Sequence, residues 1–243
     1  MNTKVPLLVL VTLAALSVSS AHGLKSFKIF KDCDDVLKTG HNESGQYLLW
    51  TSEKKTLKVH CEHGLNASTV LILQRKFGDI SFTRSWAEYQ VGFGVSSRDY
   101  WAGLETIYKL TNFQGYNVLT FYMQDWLGNN RNVRYSYFHV TDYSQGYRLS
   151  VSGYSGSVPD DFSYNNGMPF ATFDVGDQKN CAKNQKAGWW FNYCTYTLPT
   201  GHYYNGGPYT PSGGFCDGIF WQDWNTYKCA YSLKYLSMVL STS

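Results

Sequence analysis

Cys181 and Cys194 enclose a run that contains Gly188, Trp189, Trp190, Phe191 and Tyr193. A disulfide across that interval would close a short loop and fix large aromatic side chains beside the Tyr-, Gly- and Pro-rich stretch that follows. Such a surface suits ligand capture better than bond chemistry. Aromatic faces pack on apolar groups, and each Tyr keeps a polar tip for a directed contact. The residues capable of catalysis are not arranged for it. No G-x-S-x-G occurs, and Gly153-Tyr154-Ser155-Gly156-Ser157 fails at its last position. H-E-x-x-H and a Gly-rich phosphate loop ending in Lys-Ser/Thr are also absent. His202 reads as a solvated loop histidine, and the adjacent Asp160 and Asp161 read as turn residues rather than an acid/base pair. The expectation is a protein that is not an enzyme.

The cysteines also speak to compartment. Lys4 precedes an apolar run from Val5 to Val18, and Ser19-Ser20-Ala21 supplies small residues for cleavage. This predicts a signal peptide over residues 1–21, the run being shorter than the roughly 20 apolar residues that a membrane span needs. Charged residues or glycines interrupt every later apolar run, so a secreted, extracellular chain with no membrane span is expected. Cys33, Cys61, Cys181, Cys194, Cys216 and Cys229 then form a disulfide framework, for which fifteen pairings exist and sequential pairing is the economical choice. Zinc is disfavoured because no C-x-x-C occurs. Asn42 and Asn66 head glycosylation sequons. Charged residues make up 16% of the chain and the net charge is +3 with no basic block, so nucleic acid is not an expected partner.

The elements that must position these residues are mostly strands. Val70–Gln74, Val118–Gln124, Asn132–Thr141, Tyr147–Val151 and Tyr231–Leu240 are rich in β-branched, aromatic and aliphatic residues. Ser85–Val91 and Gly103–Leu110 are short helix candidates. Regular periodicity disappears from Ser152 to Tyr227, where Gly, Asn, Asp, Tyr and Pro dominate. The predicted plan is α+β, a mixed body with an irregular lobe (about 152–230) inserted before a final strand.

Several ordered runs resemble the fibrinogen C-terminal domain family, which includes ficolins and tachylectins. They are Leu73–Gly94 (L-Q-R-K-F-G-D-I-S-F-T-R-S-W-A-E-Y-Q-V-G-F-G), Tyr100–Thr111, Tyr164–Asp174, Asn180–Ala182, Gly188–Cys194 and Gly218–Trp221. The resemblance implies a short segment over 22–32 and a fibrinogen C-terminal-like globular domain over 33–240, with a mixed, mainly antiparallel sheet and a loop-rich ligand-binding lobe. It also implies Cys33–Cys61 and Cys181–Cys194 disulfides. A third bond between Cys216 and Cys229 is our own inference. The family's Gly-Gly-Trp before the central strand is replaced by Leu65-Asn66-Ala67-Ser68.

The resemblance further implies a calcium loop and an acetyl-binding funnel. Asp174 matches the first calcium aspartate, Gly176 stands where the second is expected, and Asp177 is the nearest substitute, which leaves calcium open as a cofactor. The funnel positions are Gln185, Tyr193, Cys194, Thr195, Phe215 and Tyr227, with a cis peptide expected between Tyr193 and Cys194. The implied function is a secreted, lectin-like protein of innate recognition. It would bind glycan or acetylated ligands on cell or microbial surfaces, with homo-oligomers assembled through globular faces. The alternative is an extracellular structural, adhesive or signalling module that binds a protein partner through the same lobe.

Overall fold

The computed structural model describes residues 28–52, 55–64 and 67–242. The expected signal peptide, the first part of the 22–32 segment and the Asn66 sequon lie outside the described residues. Asn42 is exposed in an irregular segment.

The elements run β1 (Ile29–Phe30), α1 (Cys33–Lys38), β2 (Gly45–Trp50), β3 (Thr56–His63), β4 (Ser68–Arg75), α2 (Trp86–Val91), β5 (Phe93–Gly94) and β6 (Tyr100–Trp101). They continue as α3 (Leu104–Phe113), β7 (Val118–Gln124), β8 (Asn130–Val140), β9 (Leu149–Gly156), α4 (Cys181–Gln185) and β10 (Tyr235–Ser241), with short 3-10 turns between. Eight strands lie in the order β1-β2-β3-β4-β10-β7-β8-β9, and β5 and β6 hang from β4. Only β1–β2 is parallel among the pairings. The mixed, mainly antiparallel sheet of the predicted α+β class is therefore present.

Hydrophobic pattern explains the sheet order. β4 and β10 are nearly continuous apolar runs buried along their length, as strands covered on both faces must be. β8 instead alternates, sending Val133, Tyr135, Phe138 and Val140 inward. The first turn of α2 is fixed by a capping box. The Ser85 side chain accepts from the Glu88 N–H, and the Ser85 N–H donates to the Glu88 carboxylate at 2.9 Å.

Several strand boundaries differ from the sequence prediction, two of them for a clear local reason. β9 starts at Leu149 rather than Tyr147 because Tyr147 takes φ 49°, which is incompatible with extended pairing, and it runs on to Gly156 inside the stretch predicted to be irregular. β10 starts at Tyr235 rather than Tyr231. The amides of Ser232 and Leu233 instead donate to Gly207 and Ile219, stitching that segment to the lobe.

Three sequential disulfides form: Cys33–Cys61 joins α1 to β3, while Cys181–Cys194 and Cys216–Cys229 each close a loop of the lobe. A buried ion pair seats the lobe on the sheet. The Arg75 guanidinium, at the end of β4, donates to Asp99 at 3.4 Å and to the carbonyl oxygens of Gly201 (2.6 Å) and Pro199 (3.2 Å). Asp99 in turn accepts from the backbone N–H groups of Lys76, Phe77 and Gly78 at 2.7, 2.9 and 3.0 Å.

Candidate ligand-binding face

The lobe meets the sheet at the Gly-Trp-Trp run. The Gly188 N–H donates to the Tyr89 hydroxyl at 3.1 Å, and a Cβ on Gly188 would sit 2.6 Å from the Tyr89 ring, so only glycine fits. The chain then turns both tryptophans inward. Trp189 and Trp190 are fully buried, with ring centroids 5.0 Å apart, and Trp190 donates its indole N–H to the Tyr147 carbonyl at 2.8 Å. The sequence reading placed these rings beside the binding surface; they are core, because the body of the sheet offers an apolar bed that the lobe alone lacks.

A second correction concerns Tyr193–Cys194. All peptide bonds among the described residues are trans. The reversal expected from a cis bond is made instead by two successive left-handed residues, Tyr193 (φ 46°) and Cys194 (φ 63°), with the Asn192 N–H donating to the Cys194 carbonyl at 2.8 Å. That turn pushes the Tyr193 side chain outward until it is 76% exposed.

The other funnel positions divide into two groups. Gln185 and Thr195 are buried and hydrogen-bonded internally. Gln185 Nε2 donates to the Cys216 carbonyl at 2.6 Å, and the Thr195 hydroxyl donates to Thr197 at 2.7 Å and Asn165 at 2.9 Å. They brace the lobe and are not walls. Phe215 and Tyr227, by contrast, are exposed, as is Tyr196, which stacks on Tyr164 with centroids 4.2 Å apart. Burial, helped by the neighbouring Tyr196 and Tyr193 hydroxyls, pushes the Tyr164 hydroxyl above its ordinary pKa, so it stays a neutral donor. Tyr193, Tyr196, Phe215 and Tyr227 thus give the lobe a set of exposed aromatics, the residue type that anchors partners.

Tyr193 also lines a cavity of about 550 Å³ that sequence reasoning missed. Its walls come from α2 (Trp86), the turn before β9 (Tyr143), the segment after β9 (Met168, Phe170) and the segments on either side of α4 (Val175, Phe191). These residues are far apart in sequence, and no local periodicity links them. The one available signal was Tyr164–Asp174, read above only as a family run.

The calcium candidates are each engaged elsewhere. The Asp174 carboxylate accepts from the Trp86 N–H, the first of α2, at 3.0 Å and from the Thr172 hydroxyl at 2.7 Å. Asp177 accepts from the Ala182 and Lys183 N–H groups of α4 at 2.9 and 3.0 Å. Two carboxylates serving two different helix N-termini do not make the shell of six to eight oxygens that calcium takes. No cluster of three or more His, Cys, Asp or Glu side chains suited to a metal occurs among the described residues.

Comparison with known proteins agrees with this geometry. The family model described as fibrinogen beta and gamma chains, C-terminal globular domain, matches residues 29–243. Angiopoietin-related protein 2 of Mus musculus is 33% identical over 244 residues, 98% of this chain and 48% of that protein. Angiopoietin-related protein 6 of Homo sapiens is 32% identical over 215 residues, covering 87% and 44% respectively. The chain spans about half the length of the curated relatives it matches. Among solved structures, the fibrinogen-like globe domain of human ANGPTL2 superposes with a TM-score of 0.81 at 34% identity, covering 88% of this chain and 99% of that one. Lamprey fibrin D-dimer complexed with the peptide Gly-His-Arg-Pro-amide also gives 0.81, at 30% identity and with coverage of 88% and 74%. With its sheet, its two family disulfides and its lobe all in place, this chain belongs to the fibrinogen C-terminal globular domain family.

Proposed function

We propose that the chain is a secreted, non-enzymatic binding module whose ligand is a protein or peptide, held by the aromatic face around Tyr193. The observation that carries this reading is the exposure of Tyr193, Tyr196, Phe215 and Tyr227 on a lobe braced by two disulfides. Rigid exposed aromatics lose little conformational entropy on binding and dominate protein interfaces. Relatives named angiopoietin-related proteins and a family structure that holds a peptide support the same class of ligand. The three disulfides favour an extracellular setting, and no helix among the described residues is long and apolar enough to cross a membrane. The glycan reading has less support, because Gln185 and Thr195 are buried and the Thr195 hydroxyl is held by internal hydrogen bonds. A single weak site would gain from several copies acting together.

The test sets a random peptide display library against a glycan and acetyl-compound array, both with the purified protein. Peptides should be enriched, and Tyr193→Ala with Tyr196→Ala should weaken their capture about tenfold or more. Glycan capture that Tyr227→Ala abolishes, with no peptide enriched, would restore the carbohydrate reading instead.

Calcium is proposed to be dispensable for this recognition. Thermal melts in calcium and in chelator are expected to agree within about 1 °C, since an ion bound only to the native state would raise Tm. A rise of several degrees with calcium would show that the Asp174–Asp177 segment rearranges to hold the ion.

A further inference from the structure

The charged groups around the Tyr193 cavity differ in how they are engaged. Three carboxylates belong to the segments that line it, and each is already engaged. Asp142 accepts from the Ser144 hydroxyl at 2.6 Å and the Gln145 N–H at 3.3 Å, while Asp174 and Asp177 serve the helix N-termini described above. The nearby lysines have no such partners. Lys179 lines the cavity and Lys183 follows in α4. Both are exposed and neither has an acidic partner among the described residues. Lys179 Nζ stands 5.2 Å from the centre of the Tyr193 ring, so the charge is held at the cavity's aromatic rim. Inside, Trp86 is only 9% exposed, and its indole N–H is buried with no hydrogen-bond partner among the described residues. A buried donor of this kind gains from an acceptor that arrives with a ligand.

We propose that this cavity anchors an acidic–aromatic segment of a partner protein. A large apolar side chain would insert among Trp86, Tyr143 and Phe170, and a flanking carboxylate would lie against Lys179 and Lys183. The volume of about 550 Å³ lies within the roughly 300–1,000 Å³ typical of ligand sites, enough for one ring and its neighbouring backbone. Aromatic walls supply the affinity, and the sign preference comes from lysines free to pair beside an Asp177 whose two oxygens already accept backbone N–H groups. The inference rests on the protein-ligand reading above and narrows it to one chemistry and one cavity.

The test is an NMR titration of the purified protein with two probes, N-acetyl-Glu-Phe-Glu-amide and N-acetyl-Lys-Phe-Lys-amide. The acidic tripeptide should bind about tenfold or more tightly than the basic one, and the preference should shrink as salt rises. The double variant Lys179→Glu/Lys183→Glu should reverse the preference, and Tyr143→Ala should weaken both probes. Leu127→Ala, an exposed position that does not line the cavity, should leave both unchanged. All four positions are exposed, so circular dichroism should report an intact fold for each variant. Equal affinity for the two probes, or a preference that survives the lysine reversal, overturns the proposal. Failure of both probes while displayed peptides are still captured overturns this inference and leaves the protein-ligand reading standing. Capture of glycans and of no peptide at all overturns both.

Discussion

Asp99→Ala is expected to destabilise the protein by on the order of 3–5 kcal/mol, enough to unfold it near 37 °C if its stability is ordinary. Asp99 accepts from three consecutive backbone amides and from Arg75, whose side chain is 1% exposed. Removing the carboxylate orphans those amides and leaves a guanidinium buried without its counter-ion. Burial already disfavours that charge: it holds the Arg75 pKa below the ordinary arginine value, with Asp99 pulling the other way. Urea unfolding of the wild type and the variant gives the number. The double variant Arg75→Met/Asp99→Ala should be less damaged than Asp99→Ala alone, because the unpaired charge is gone. A loss below about 1 kcal/mol for Asp99→Ala would show that the pair does not seat the lobe.

The second large effect depends on pH. Asp161 is 4% exposed and accepts from the Asp223 N–H at 2.8 Å. Burial, then the Asp223 and Asp160 carboxylates, push its pKa up to about 7, against a pull downward from that N–H and from Lys228. In the unfolded chain the same group titrates near its ordinary value of about 4. Between the two values the native state keeps a proton that the unfolded state releases, so stability falls as pH rises from about 4 to about 7 and is level beyond. Asp161→Asn mimics the protonated form. It should therefore be near neutral at pH 4 and should stabilise the protein at pH 8 by roughly 2–4 kcal/mol. Melting curves at the two pH values decide it. An equal Tm difference at both would mean that Asp161 is not the group that titrates.

The sequence made the sheet legible where β-branched, aliphatic and aromatic residues dominate a run. β4, β7, β8 and β10 were all visible as runs, and α2 as an amphipathic turn after Ser85. β2 and β3 were not: β2 is only partly buried, and in β3 the outward Thr56, Lys58 and His60 alternate with buried Leu57, Val59 and Cys61, which thins the apolar signal. The short α1 and α4 depend on Asp side chains at their N-termini (Asp32 and Asp177), a signal too local to outweigh the surrounding loop composition. At the candidate site, the resemblance located the right disulfide and the exposed Tyr193, Phe215 and Tyr227. It misplaced Gln185 and Thr195, because whether a side chain faces solvent there depends on hydrogen bonds to Cys216 and Asn165, 31 and 30 positions away. The cavity was invisible for the same reason: its walls converge only after the lobe has docked.

The position of β10 sets the order of events during synthesis. Among the described residues, β10 alone bonds to both β4 and β7, so β1–β4 on one side and β7–β9 on the other remain two open half-sheets until that segment leaves the ribosome. Until then both halves expose unpaired edges, and the pairing that joins them has a sequence separation of more than 150 residues on the β4 side. Such non-local closure is slow and leaves edges open to wrong partners. A nascent chain stalled before Tyr235 should therefore be a chaperone client, and cutting the chain after Lys234 should leave an aggregating protein rather than a smaller stable domain.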